Sequence, residues 1–305
     1  MNRSHPSFPY VCLVLAMMLW ASTFVALKLA FRVYDPMVVI FGRMVVASLF
    51  AVFFPFVFRN VRFRIKDLKY IAFMVICEPC LYFVFEANAL LYTSAAQAGM
   101  ITSMMPLMVA IGAWFFLKEQ LTMRTCIGFA IAVTGALFLS FVSEASDHGP
   151  NPLLGNFLEF LAMVCASGYA LTLKKLTDYY SPLFLTFIQA FTGAVFFFPA
   201  LFLPSTQLPV QVEPLPIFAI FYLGSAVTLG AYGLYNYGVS KIPASQATAF
   251  INLIPVFSLI MSGIVLGERF SAIQYMASFL VLFGVILSQD RKAMRQPVAV
   301  TQPEA

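Results

Sequence analysis

Charge is what this chain has least of: Asp, Glu, Lys and Arg make up 10% of its 305 residues, against 61% hydrophobic residues. Histidine is scarcer still. His5 and His148 lie outside every long apolar run and no aspartate lies well inside one, so metal-site and histidine-based intramembrane catalysis have almost nothing to work with. No G-x-x-x-x-G-K-[ST] occurs, which argues against a built-in nucleotide motor. The five cysteines, Cys12, Cys77, Cys80, Cys126 and Cys165, all fall inside apolar runs. Cys77 and Cys80 form a C-x-x-C beside Pro79 that reads as packing, and no disulfide, metal or cofactor is assigned.

What is present is length of hydrocarbon, with a mean hydropathy of +0.89. Runs near the roughly 20 residues that cross a bilayer core lie at 10–31, 36–58, 70–92, 95–117, 124–142, 153–173, 182–203, 217–239, 244–266 and 271–289. The chain is therefore expected to be an all-α integral membrane protein of ten spans, with lipid as its solvent. Its cations set the orientation. With the N-terminus inside, 14 of the 18 Lys and Arg fall in cytoplasmic segments and two, Arg32 and Arg269, outside; Lys28 and Arg43 lie within spans. That bias predicts cytoplasmic N- and C-termini. The net charge of +5 is then mostly topogenic, and nucleic-acid binding is a poor reading of it. The first span is too long for a signal-peptide core and is expected to be retained.

The chain also repeats itself. At an offset of 146 residues, Leu15-Ala16-Met17 maps to Leu161-Ala162-Met163, Lys28 to Lys174 and Pro36 to Pro182. At an offset of 149, Gln97, Pro106, Glu119 and Gly135 map to Gln246, Pro255, Glu268 and Gly284. The first copy occupies 10–142 and the second 153–289, joined by a polar external loop at 143–152 and followed by a cytoplasmic tail at 290–305. Five spans per copy is an odd number, so the second copy is inverted relative to the first, an arrangement typical of secondary transporters. Pro106 and Pro255 sit near mid-span and read as paired kinks or hinges, because proline removes a donor and repels the carbonyl four residues back.

Trp20 and Ser22 in the first span, Lys28 at its end, Pro36 then Arg43 in the second, and the paired Pro–Glu–Gly patterns resemble the EamA repeats of the drug/metabolite transporter superfamily. Within that family the chain looks most like the YddG-type aromatic amino acid exporters. The resemblance covers residues 10–289 and implies efflux of small metabolites across the bacterial inner membrane, through a central cavity and without ATP hydrolysis.

The residues themselves suggest where such a cavity gets its chemistry. Glu78, Tyr82 and Glu86 are spaced by four and form one polar stripe, which should face other helices or a cavity. Thr228, Tyr232, Tyr235 and Asn236 mark the corresponding eighth span, and Trp20, Phe24 and Lys28 share a face of the first. The candidate substrate-binding set is Trp20, Tyr82, Glu86, Tyr232, Tyr235 and Asn236, with Gln97, Gln246 and Asn252 in support; interfacial anchoring or interhelical hydrogen bonding competes as a role for each tyrosine and tryptophan. Lys28, Arg43 and Glu78 form a candidate charge network in which one cation neutralises Glu78 or Glu86 and leaves a carboxylate able to take up a proton; a structural ion pair explains the same residues. Glu119, Glu268 and Arg269, at span ends, read as held by headgroups or helix caps. Two embedded cations are too few for dianionic phosphates, whereas a small amphipathic solute such as an amino acid suits one cation, one carboxylate and an aromatic wall. Multidrug efflux and a channel-like facilitator remain the competing functions.

Overall fold

At membrane depth a backbone N–H or C=O finds no water, and a helix satisfies both within one segment. The computed structural model describes residues 7–59, 61, 63–117, 122–146, 149–242, 247 and 249–288. Among them the helices are α1 (Phe8–Phe31), α2 (Pro36–Phe53), α3 (Ile65–Tyr92), α4 (Ala95–Thr102), α5 (Met105–Leu117), α6 (Met123–Val142), α7 (Pro152–Leu176), α8 (Pro182–Phe202), α9 (Pro214–Lys241), α10 (Phe250–Val265) and α11 (Ala272–Ser288). Eight spans, with α4 running into α5 as one of them, are long and apolar enough to cross a membrane; α10 and α11 are shorter apolar helices. Many phenylalanines, among them Phe115, Phe141, Phe202 and Phe279, point outward, as an apolar solvent permits.

Prolines explain where the helices depart from unbroken spans. The second run, expected to reach residue 58, stops at Phe53, because Pro55 drives Phe54 out of the helical region (φ −125°, ψ 45°). Inside α3, Glu78 before Pro79 is extended (φ −148°, ψ 116°) and a wide π-turn spans Ile76–Leu81. The polar stripe is thus interrupted at its first member. The fourth run divides at Ser103–Met104, ahead of Pro106, where the Ser103 hydroxyl donates to Met100 O at 2.7 Å. Its counterpart, α10, begins with a tight turn at Phe250–Leu253 ahead of Pro255.

Contacts repeat between the two halves. Helix α1 packs on α9 and α10, as α7 packs on α3, α4 and α5, and α2 crosses α8. Caps repeat as well: Ser181 accepts from Phe184 N before Pro182 as Asp35 accepts from Met37 N before Pro36. Helices α6 and α11 meet through glycine. A Cβ on Gly284 would lie 2.4 Å from Ala132 N, and one on Gly135 2.7 Å from Val281 N. Such small-residue seams let backbones touch where no hydrophobic effect drives helices together.

One joint between the halves is polar. Gly267, at φ 72°, ends α10 in the left-handed turn that glycine favours, and Glu268 N donates back to Ser262 O at 3.3 Å. The turn aims the Glu268 carboxylate at the start of α4, where it accepts from Ala95 N at 3.0 Å and Ala96 N at 2.9 Å. Glu268 is thus a helix cap, for a helix other than its own. Its repeat counterpart Glu119 lies outside the described residues.

Candidate functional site

A cavity opens where the broken helices meet. Its walls come in repeat-related pairs: Trp20 with Ala166 and Thr23 with Tyr169 at an offset of 146, and Thr102 with Ile251 and Met105 with Ile254 at 149. The last two pairs flank the proline breaks. Matching positions of both halves therefore line the cavity. Its volume is about 40 Å³, room for about three waters at ~10–15 Å³ each.

One wall is polar. Arg43, 1% exposed, donates from Nε to Thr228 Oγ1 at 3.3 Å, lies 3.9 Å through Nη1 from Glu86 Oε2, and stacks 4.4 Å above the Phe83 ring. Tyr82 donates its hydroxyl to Glu86 Oε1 at 2.8 Å. Glu78, carried by the break at Pro79, accepts from the Tyr232 hydroxyl, and its carbonyl accepts from Gln189 Nε2 at 3.2 Å. Aromatic rings adjoin it: Trp20 meets Tyr232 edge-on at 5.1 Å and Tyr235 at 4.8 Å between ring centroids. Three lining atoms, Trp20 Nε1, Arg43 Nη1 and Glu86 Oε2, are buried without a hydrogen-bond partner. Buried polar atoms rarely stay unpaired. Arg43 Nη1 and Glu86 Oε2 face each other as an ion pair at 3.9 Å, too long for a hydrogen bond, and Trp20 Nε1 is a further donor.

The EamA-like transporter family matches residues 7–141 and again 153–289. The chain belongs to the EamA-like transporter family. YetK of Bacillus subtilis, an uncharacterized transporter, is 28% identical over 70% of this chain and 64% of its own length. A probable terminal-alkyne amino-acid exporter of Streptantibioticus cattleyicolor is 25% identical over 95% of this chain and 96% of its own. A crystal structure of a protein 16% identical superposes with a TM-score of 0.62, covering 95% of this chain and 99% of the other, a likeness of fold alone.

In this EamA chain the residues singled out from sequence separate by position. Trp20, Arg43, Glu78, Tyr82, Glu86 and Tyr232 line the cavity. Tyr235 and Asn236 stand behind it, Tyr235 packed on Trp20, and Asn236 accepting from the Tyr169 hydroxyl while donating to Thr186 Oγ1 at 2.9 Å. Asn252 has a buried, unpaired Oδ1 between the lining residues Ile251 and Ile254. Gln97 sits elsewhere, accepting from Asn156 Nδ2 at 3.1 Å and Thr93 Oγ1 at 3.2 Å. Lys28 lies in the field of Glu268, and Gln246 lies outside the described residues. Pro106 and Pro255 adjoin lining residues on α5 and α10.

Sequence reasoning missed Thr23, Tyr169, Ala166 and Phe83 as lining residues, and named Gln189 only as the neutral repeat counterpart of Arg43. A signal existed for most of them. Applying the 146 offset to Trp20, Thr23 and Arg43 points directly at Ala166, Tyr169 and Gln189. Phe83 had none, because a phenylalanine under a guanidinium looks like any other in an apolar helix.

Proposed function

We propose that the chain is a ten-span secondary transporter that exports small organic metabolites, aromatic or neutral amino acids first among them, across the bacterial inner membrane by alternating access. The reading takes 10–142 and 153–289 as inverted five-span repeats with both termini cytoplasmic. The observation that carries it is the cavity walled by both halves, where the Arg43–Glu86 ion pair, longer than a hydrogen bond, and the Trp20 Nε1 donor stand beside aromatic rings. Arg43 Nη1 and Trp20 Nε1 suit a carboxylate, Glu86 Oε2 suits an ammonium, and Trp20 with Tyr232 offers faces to an aromatic or alkyl side chain. The amino-acid exporter of Streptantibioticus cattleyicolor agrees in class, and the Bacillus relative agrees with a bacterial membrane.

A cavity of about 40 Å³ is too small for an amino acid, so a solute enters only if the walls separate. The paired breaks at Pro106 and Pro255 are where lining residues hinge against the packed outer helices α6 and α11. Uptake of labelled phenylalanine, tyrosine and alanine into proteoliposomes, with ethidium as a competing cation, tests this reading. Saturable amino acid uptake inhibited by its unlabelled form is expected. Transport of ethidium alone would transfer the site to multidrug efflux, which the carboxylates and aromatic wall also accommodate, and ion-like conductance would make the protein a channel.

A further inference from the structure

The start of α3 and the end of α7 bring together two lysines that the cavity does not use. Lys175 Nζ lies 3.8 Å and Lys69 Nζ 5.0 Å from the centroid of one ring, that of Tyr70. Lys69 belongs to the first copy and Lys175 to the second. The charged groups around them are otherwise engaged. Arg64 holds the Asp67 carboxylate through both oxygens, at 2.7 and 3.0 Å, and the Tyr180 hydroxyl donates to it at 3.1 Å. Lys174 donates to Val239 O at 2.8 Å and Ile242 O at 3.2 Å. Asp178, exposed beyond the end of α7, joins no ion pair among the described residues. Nor, among those residues, does any carboxylate lie within ion-pair distance of Lys69 or Lys175.

A ring attracts each ammonium through its quadrupole but neutralises neither. Two like charges gathered at one ring are relieved by an anion, and the surface beside them indicates which. Lys69, Phe73 and Ile76 follow at spacings of four and three and so share a face of α3. Phe73 is 46% and Ile76 52% exposed. A Cβ on Gly168, seven residues before Lys175, would lie 3.3 Å from the Phe73 ring and 2.9 Å from Cys77 Sγ. The two helices therefore touch within two turns of the lysines, and an apolar strip runs from the charged end along α3. A free phosphate matches the lysines alone. A phospholipid matches the lysines with its headgroup, and Phe73 and Ile76 with its chains. The inverted copy lacks the arrangement: Lys69 corresponds to Phe218, Tyr70 to Ala219 and Lys175 to Leu29. One end of the molecule alone carries it, and on the topology proposed above that end is cytoplasmic, the side where membranes present anionic headgroups.

We propose that Lys69 and Lys175, gathered at the Tyr70 ring, bind the headgroup phosphate of an anionic phospholipid that bridges α3 of the first copy to α7 of the second. The phosphate oxygens accept from both ammonium groups, and the negative charge offsets their repulsion. The lipid thus fastens the two copies together at one end of the molecule, whatever solute the cavity takes.

Native mass spectrometry of the detergent-purified protein, given phosphatidylglycerol, phosphatidylcholine or inorganic phosphate in equal amounts, reads the binding directly. Phosphatidylglycerol should be retained in preference to the other two. Lys69→Gln combined with Lys175→Gln should lower its affinity at least about tenfold, since each lysine near anionic lipid contributes about a factor of five. Lys69→Arg with Lys175→Arg should keep it, because both the charge and the ring contact survive. Lys66→Gln, at an exposed lysine outside the Tyr70 pair, should change it by less than about twofold. Phosphatidylglycerol should also raise the melting temperature of the wild type; the double Gln variant should lose that increment while melting like the wild type without lipid, which separates a lost site from a lost fold. Equal retention of phosphatidylcholine, equal binding of inorganic phosphate, or a loss in Lys66→Gln as large as in the double variant overturns the proposal. None of these readouts involves transport, so a failure of the transporter reading leaves the lipid site to stand or fall by itself.

Discussion

Glu268→Ala should destabilise the fold by about 3 kcal/mol without touching the cavity. In the first turn of α4 all four backbone donors are satisfied: Ala95 N and Ala96 N by the Glu268 carboxylate, Gln97 N by Ser94 Oγ at 3.2 Å, and Ala98 N by Ser94 O at 3.0 Å. Ala95 and Ala96 are 0% exposed, so water does not replace the carboxylate unless the helix end moves. A hydrogen bond to a charged acceptor contributes about 1.5–3 kcal/mol, and a buried donor left unpaired costs a similar amount. An anion at a helix N-terminus adds ~0.3–1 kcal/mol. Two such bonds set an upper range near 3–6 kcal/mol, and partial relaxation toward the interface brings the expectation to its lower end. Glu268→Gln keeps an acceptor oxygen but sets an amide N–H₂ against a backbone donor, and should lose about half as much. Equilibrium unfolding in mixed detergent micelles gives both values. A Glu268→Ala protein within about 0.5 kcal/mol of wild type would refute the capping assignment.

Three further substitutions probe the frame and the cavity. Gly284→Ala puts a Cβ 2.4 Å from Ala132 N and 2.6 Å from Gly128 O, and forcing the two backbones apart should cost at least ~1–3 kcal/mol, read as lowered thermal stability in detergent; an unchanged midpoint would show that the α6–α11 seam is loose. Tyr232→Phe keeps the ring contact with Trp20 but takes the donor from Glu78, so stability should fall by about 1–3 kcal/mol and amino acid uptake should fall with it. Arg43→Met strips Glu86 of its cation and should cost about 3–5 kcal/mol. Adding Glu86→Gln to it should recover most of that loss, and simple additivity of the two changes would disprove the pairing.

Helix positions were legible in the sequence because apolar length and proline are local properties. The Gln97–Pro106–Glu119–Gly135 recurrence exposed the two-copy frame, and Gly135 and Gly284 lie where the backbones of α6 and α11 touch. Partners were not legible. Lys28 looked available to Glu78 or Glu86, yet the carboxylate whose field reaches it is Glu268, because distance along a helix face says nothing about which neighbouring helix closes over it. Gln97 looked like a cavity residue and instead joins Thr93 and Asn156, the latter reaching in from α7, a helix of the other copy. Glu78 took its position from the break at Pro79, which turns a regular four-residue spacing into two separate hydrogen-bonded pairs, Glu78 with Tyr232 and Glu86 with Tyr82.

The repeat offsets carry a further consequence for how the cavity works. The positions where the two copies agree include the prolines at helix breaks and starts and the glycines of the α6–α11 seam, besides Lys28 with Lys174 and Gln97 with Gln246. Where they line the cavity the copies differ: Trp20 corresponds to Ala166, Thr23 to Tyr169, Thr102 to Ile251 and Met105 to Ile254. The charges are more one-sided still. Arg43 corresponds to Gln189, Glu86 to Tyr235 and Glu159 to Leu13, so each of these embedded charges has a neutral counterpart. A frame that is nearly symmetric can rock between two equivalent openings at little difference in packing energy, while a solute bound mainly by one set of charged groups remains bound to the same groups in both. Under the alternating access proposed above, symmetry in the breaks and asymmetry in the lining serve one mechanism, in which the helices move and the binding groups stay with their solute.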